Sequence, residues 1–233
     1  MEKTTDLLVV GAGMAGLTAA AYAAKAERTV MVCERAARVG GLVTDFSAQG
    51  FHFDAGLRAV ENSGVIRPML RNLGLDVAFV PNPVTIRMQD RQIRLDRDGL
   101  AQYGAMLAEH YPQNGADIQA ILHEIERVMQ IMDVLYGIDN PLFLDLKNDP
   151  AYLMRTILPW LLRYRRNMRK VKKLSEPIEA YLARYTHNQA LIDAIAQHFF
   201  RHTPSFFALS YFGLYQDYQY PKGGTGRLAL AMA

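Results

Sequence analysis

Asp6-Leu-Leu-Val-Val10 running into Gly11-Ala-Gly13-Met-Ala-Gly16, followed by Thr29-Val-Met-Val-Cys33-Glu34, decides how this chain is read. An apolar run opens into a glycine-rich turn. An alanine-rich stretch from Leu17 to Ala26 suits a helix, and a second apolar run ends on an acid. Gly11 permits the tight turn at the end of the first strand. Gly13 has no Cβ, so phosphate oxygens can approach the backbone, and Gly16 lets the helix pack close to the strand. The helix N-terminus offers unpaired N–H groups and a partial positive charge to a pyrophosphate. Glu34 follows Gly11 by 23 residues and can accept hydrogen bonds from ribose hydroxyls. Strand, turn, helix, strand and acid in this order predict a site for a dinucleotide. A glycine-rich turn in an ordinary α/β unit is the competing reading.

Downstream residues bear on which dinucleotide. Arg38-Val-Gly40-Gly41-Leu-Val-Thr44 places a second glycine pair just past the acid, and Gly50-Phe-His-Phe-Asp54-Ala-Gly56 follows. Together with the first turn, these segments resemble the N-terminal signature of the flavoprotein superfamily that holds amine oxidases, protoporphyrinogen oxidases and phytoene desaturases. Phe53-Asp54-Ala-Gly56 and Tyr220-Pro-Lys-Gly223-Gly224-Thr-Gly226 are most similar to the branch of phytoene desaturases, carotenoid isomerases and retinol saturases. The likeness is specific over residues 5–75 and 218–230 and general between them. Many members carry Arg or Lys after the second glycine pair, where this chain has Leu42.

The resemblance implies FAD as cofactor. Gly11, Ala12, Gly13, Met14, Ala15 and Gly16 would hold its pyrophosphate. Glu34 would bind the adenosine ribose, with Arg35 near the adenine. Gly40 and Gly41, with Leu42 next to them, would pass close to the pyrophosphate or ribityl chain. Ala55, Gly56, Leu57 and Arg58 would approach the flavin ring. Asp54 suits a structural role, holding its own turn through backbone hydrogen bonds. The implied fold is α/β: a Rossmann-like FAD-binding domain with a mostly helical substrate-domain insert. The implied reaction is hydride transfer at a C–C bond of an apolar, isoprenoid- or carotenoid-like substrate, with an amine-oxidase-like flavoenzyme as the alternative.

The chain divides accordingly. Residues 1–80 begin the FAD-binding domain, residues 81–216 form a hairpin and helical substrate domain, and residues 217–233 return to the first. Asn62-Ser63-Gly64 punctuates a turn before a helix near Val65–Leu73, closed by Gly74. Val84–Met88 and Gln92–Leu95 alternate around Gln89-Asp90-Arg91, a hairpin pattern. Ile118, Ile121, Leu122, Ile125, Val128, Met129, Met132 and Leu135 recur at helical spacing. Thr186 and Gln189 fit a capping box ahead of a helix through Phe200, and a last helix begins at Thr225. Two parallel strands are expected, Asp6–Val10 and Thr29–Cys33, fewer than a doubly wound sheet requires. A second chain supplying a C-terminal half is therefore an expected partner. A truncated, non-catalytic fragment that binds a nucleotide or a partner through its open sheet edge, and a small NAD(P)-binding protein, are the alternatives.

Ile157-Leu-Pro-Trp160-Leu-Leu precedes Arg163, Arg165, Arg166, Arg169, Lys170, Lys172 and Lys173. Apolar residues beside a basic run suit a helix on an anionic membrane surface; a surface helix with snorkelling side chains reads the same way. His198 and His202, spaced one helical turn apart, form a pair without a third ligand, so no metal is expected. His52, between Phe51 and Phe53, reads as a strand residue. Aromatics crowd Phe199-Phe200, Phe206-Phe207, Tyr211-Phe212, Tyr215, Tyr218 and Tyr220, which fits either an apolar substrate channel or core packing.

Composition fits a globular chain, with 50% hydrophobic and 21% charged residues. A net charge of +3 is too mild to argue for nucleic acid. The single cysteine, Cys33, is expected in a buried strand, which suits a reducing compartment. The first strand begins within about five residues, leaving no room for a signal peptide, and no apolar run reaches the ~20 residues of a spanning helix. The expected location is cytoplasmic, peripheral on a membrane through Ile157–Lys173.

Overall fold

A computed structural model describes residues 4–61, 64–96, 98–136, 138–143 and 149–233. The chain forms two compact units: Met1–Asn82 with Leu142–Leu144 and Gln219–Ala233, and Pro83–Pro141 with Asp145–Tyr218. Of the turn expected at Asn62-Ser63-Gly64, the first two residues lie outside the described residues.

In the first unit, β1 (Leu7–Val10) pairs in parallel with β2 (Val30–Cys33), Leu7 opposite Val30 and Val10 opposite Cys33. Between them runs α1 (Met14–Lys25), which starts before Leu17 because Gly13 already takes the N-cap position with extended backbone. Leu17 and Ala20 are its buried residues. The sheet has two strands among the described residues. Parallel strands are ordinarily covered on both faces, yet Leu8 and Val10 are 55% and 82% exposed. Cys33 is exposed as well. This corrects the buried position expected from its apolar strand: strand character is local, whereas burial needs neighbours that these two strands do not have.

Next come β3 (Asp45–Ala48) and β4 (Phe51–Asp54), an antiparallel hairpin of which only the second strand, around His52, is expected from the sequence. Gln49 and Gly50 both have positive φ, 51° and 81°, as a two-residue type I′ turn requires. Then α2 (Ile66–Leu73) stops at Gly74, whose left-handed φ of 73° closes it as expected, and β5 (Phe79–Pro81) follows.

The second unit opens with the anticipated hairpin, β6 (Val84–Met88) against β7 (Arg91–Leu95). The helices α3 (Gly99–His110) and α4 (Gly115–Tyr136) come next. Ile118, Ile121, Leu122, Ile125, Val128 and Met132 of α4 are buried at helical spacing, with Met129 and Leu135 half-buried beside them. A Cβ on Gly104 would stand 2.2 Å from Leu122 Cδ1, so glycine sets how closely α3 and α4 pack. The short α5 (Pro150–Tyr152) continues through a π-helical turn, Leu153–Ile157, into α6 (Leu158–Val171). Behind it lie α7 (Ile178–Leu182), α8 (Gln189–Ala196) and α9 (Ser205–Gln216). The cap of α8 differs from the expected box. Asn188 caps it, its side chain accepting from Ala190 and Leu191 N–H, while Thr186 Oγ1 accepts from the N–H of Asn188. The helix ends at Ala196 rather than Phe200.

The chain re-enters the first unit as β8 (Gln219–Pro221), antiparallel to β5, and ends in α10 (Gly226–Met232) behind Thr225. Ala229 and Met232 of α10 join Ala12, Leu17, Met69 and Leu70 in the core of this unit. Because Asn188 satisfies two N–H groups of α8, Asn188→Ala is expected to lower stability by about 1 kcal/mol. Gln189→Ala should be nearly neutral. Urea unfolding of the two variants separates this cap from a Thr186–Gln189 box.

Candidate functional site

The first glycine turn is built as its spacing predicts. Gly11 has φ +97° and donates to the Cys33 carbonyl at 2.7 Å. A Cβ on Gly16 would lie 2.0 Å from Gly11 O, so only glycine lets α1 sit this close to the turn. A Cβ on Gly11 or Gly13 meets nothing within 4 Å. Open space therefore lies before the N-terminus of α1, where Met14 and Ala15 begin the helix. Its first N–H groups have no intrahelical partner.

The second glycine pair closes onto the first. Gly40 N–H donates to the Ala12 carbonyl at 2.7 Å, and Gly13 and Gly40 form a parallel bridge. A Cβ on Gly41, at φ +61°, would stand 3.2 Å from Gly13 Cα. One on Gly40 would stand 2.9 Å from the Ala229 Cβ of α10. Leu42 has an exposed side chain, and its carbonyl accepts from Leu57 N–H at 3.1 Å. A Cβ on Gly56 would come within 2.4 Å of that carbonyl, and Ala55 N–H bonds to Thr44 O at 2.9 Å.

Glu34 stands at the end of β2, as predicted. Its carboxylate accepts from Ala12 N–H at 2.6 Å and from Ala36 N–H at 2.8 Å. These backbone N–H groups, Ala36 foremost, hold its carboxyl below the ordinary glutamate range. It is ionised at neutral pH and retains acceptor sites beyond the two in use. Thus Gly11–Gly16, Glu34, Gly40–Leu42 and Ala55–Leu57 are joined by hydrogen bonds and close contacts. Arg35 and Arg58 extend from this assembly with exposed side chains.

Asp54 is structural, but its partners lie far along the chain rather than in its own turn. Its carboxylate accepts from Tyr220 Oη at 2.8 and 2.9 Å, Thr225 Oγ1 at 2.8 Å and Thr225 N–H at 3.1 Å. Burial would raise its pKa, yet the hydrogen bonds from Tyr220 and Thr225 bring it below the ordinary aspartate range. Burial and the bond to Asp54 push the Tyr220 phenol up to about 12. Beside them Asp45 pairs with Arg38 and His52, each at 3.2 Å. A Cβ on Gly226 would fall 2.5 Å from Asp45 Oδ2. The Tyr220–Gly226 segment was visible as a motif, but its attachment to Asp54 and Asp45 has no local signal.

The second unit holds an aromatic cavity of about 550 Å³. His198, Phe199, Phe207, Tyr211, Tyr215 and Tyr218 line it. His198 Nε2 lies 3.3 Å from Tyr103 Oη, and burial lowers its pKa, leaving the ring neutral at neutral pH. His202 sits in a turn at φ 61°, beyond the end of α8, so the two histidines do not share a helix face.

Strand, glycine turn, helix and acid make the first unit a Rossmann-like dinucleotide-binding domain, and a family model described as an NAD(P)-binding Rossmann-like domain matches residues 9–73. The chain is similar to the all-trans-retinol 13,14-reductase of Homo sapiens, 29% identical over 138 residues, 55% of this chain and 23% of that protein. It is also similar to the chloroplastic prolycopene isomerase of Arabidopsis thaliana, 27% identical over 164 residues, 65% of this chain and 26% of that one. An oxidoreductase structure from Methanosarcina mazei aligns with 97% of the chain and 47% of its own, at a TM-score of 0.56 and 16% identity. A putrescine oxidase bound to putrescine aligns with 98% of the chain and 48% of its own, at 0.51 and 16%. The chain thus spans about a quarter of these curated relatives and about half of these solved chains.

The Asp54 network fixes a pH dependence. Because its folded pKa is depressed, the stabilisation is complete above the ordinary aspartate range and lost as pH falls through the lower, folded value. Asp54→Asn is expected to destabilise the protein at neutral pH and to flatten the acid limb of its stability curve, measured by urea unfolding across that range.

Proposed function

We propose that the chain carries the pyrophosphate and ribose half of an FAD site in an oxidoreductase acting on an apolar, isoprenoid- or carotenoid-like substrate. The observation that carries this reading is the closure of Gly40–Gly41 onto Ala12–Gly13, with Ala55–Leu57 held to the same loop by Leu42. An NAD(P) site draws on the first turn and the acid; the likeness of the Gly40–Leu42 and Phe53–Gly56 segments to those of flavoproteins favours FAD.

The residues fit the group. The space before Gly11 and Gly13 accepts a phosphate against helix N–H groups. Ionised Glu34 offers acceptors to ribose hydroxyls, and Gly40–Leu42 with Ala55–Arg58 would extend along the ribityl chain toward the ring. Bound FAD would supply hydride chemistry; the protein supplies position and electrostatics. The aromatic cavity of the second unit supports an apolar substrate. The exposed apolar side chains of β1 support completion of the sheet by a C-terminal half, on this chain or a second one.

The test is to titrate the protein, alone and with a candidate C-terminal half, with FAD and with NAD, following flavin fluorescence and the visible spectrum. FAD is expected to bind in preference to NAD. Gly13→Glu should abolish binding without unfolding the chain, since its Cβ points into open space while its carboxylate repels phosphate. Preference for NAD, or no bound flavin in either sample, would overturn the FAD reading.

A further inference from the structure

Helix α6 turns two different surfaces in two directions. Trp160, Tyr164, Asn167, Met168 and Val171 face inward at helical spacing. Trp160 Nε1–H donates to the Val134 carbonyl at 2.6 Å, Asn167 Nδ2 to the Ile131 carbonyl at 3.1 Å, and Val171 is buried in the core. These bonds anchor the helix on α4 and fix its rotation. The outward side is apolar at one end: Leu158 and Leu161 are exposed, Leu162 is 66% exposed, and Met154 in the preceding turn is 63% exposed. Toward the other end it becomes cationic through Arg165, Arg166, Arg169, Lys170, Lys172 and Lys173, all exposed.

Between Asp149 and Glu176 the sequence contains eight Lys and Arg and no Asp or Glu. None of the eight forms an ion pair among the described residues. A face meant only for water needs no exposed leucines beside the charges, and a core face would not carry uncompensated cations. No helix among the described residues is long and apolar enough to cross a membrane.

We infer that α6 docks this chain on an anionic lipid bilayer. Met154, Leu158, Leu161 and Leu162 enter the acyl boundary, and the basic turns up to Lys173 lie on the headgroups. The complementarity has two parts, and each sets the occupant. The basic run selects a negative surface. The leucines select one with an apolar interior, which a nucleic acid or another polyanion lacks. The inference stands on α6 alone and does not depend on the cofactor.

The test is co-sedimentation of the protein with vesicles of phosphatidylcholine alone and with added phosphatidylglycerol, at low and high salt. Binding to the anionic vesicles, weakened by salt, is the expected result. Leu158→Ser with Leu162→Ser, two exposed positions whose change leaves the core intact, should weaken it about tenfold or more. Arg165→Gln with Arg166→Gln and Arg169→Gln should weaken it by a similar factor and remove most of the salt dependence. Far-ultraviolet circular dichroism confirms that both variants are folded. Equal binding to both vesicle types, or to neither, would overturn the proposal. So would heparin competition together with full binding by the leucine variant, which would mark the run as a general polyanion site.

Discussion

The carboxylate of Asp54 ties together two distant stretches of the first unit. Asp54 ends β4, and Thr225, whose N–H and hydroxyl it binds, precedes α10 171 residues later. Closing so long a loop costs conformational entropy that grows only slowly with length. Hydrogen bonds to an ionised acceptor, stronger than neutral ones, offset part of it at the point where α10 must begin. Helix α10 then packs behind the two glycine pairs. Ala229 backs Gly40, and Gly40 in turn bonds Ala12. The second glycine pair is thus supported by a helix from the far end of the chain.

Glu34 does a second kind of work within the same cradle. Parallel pairing of β1 with β2 brings its backbone beside the first turn, and its carboxylate takes the N–H of Ala12 and of Ala36. The acid at the end of the second strand thus braces the first glycine turn. Loss of this side chain therefore leaves the N–H groups of Ala12 and Ala36 without their acceptor and loosens the turn.

The sequence was most legible where a local rule dominates. Gly11, at positive φ, and Gly16, packed on Gly11, each have a steric reason within a few residues, and β1, α1, β2 and Glu34 lie where the pattern places them, α1 starting slightly earlier. The Val84–Leu95 hairpin and the α4 stripe were legible for the same reason: alternation and helical spacing are local. β3 carries little signal because Asp45-Phe-Ser-Ala is short and only half apolar and its turn, Gln49-Gly50, is not a common hairpin pair. The α8 cap was misread because Thr186 and Asn188 offer competing acceptors, and only the folded backbone decides which reaches the helix. Burial of Cys33 and the partners of Asp54 depend on distant chain and carry no local signal.

The pairing of β5 with β8 has a further consequence. Phe79–Pro81 ends the first stretch of the first unit and Gln219–Pro221 begins its last, and the two lie side by side as antiparallel strands, while Leu142–Leu144 brings the chain back to that unit once in between. The pairing holds the two ends of the long stretch between them next to each other, so a change of length within that stretch need not move Phe79–Pro81 against Gln219–Pro221.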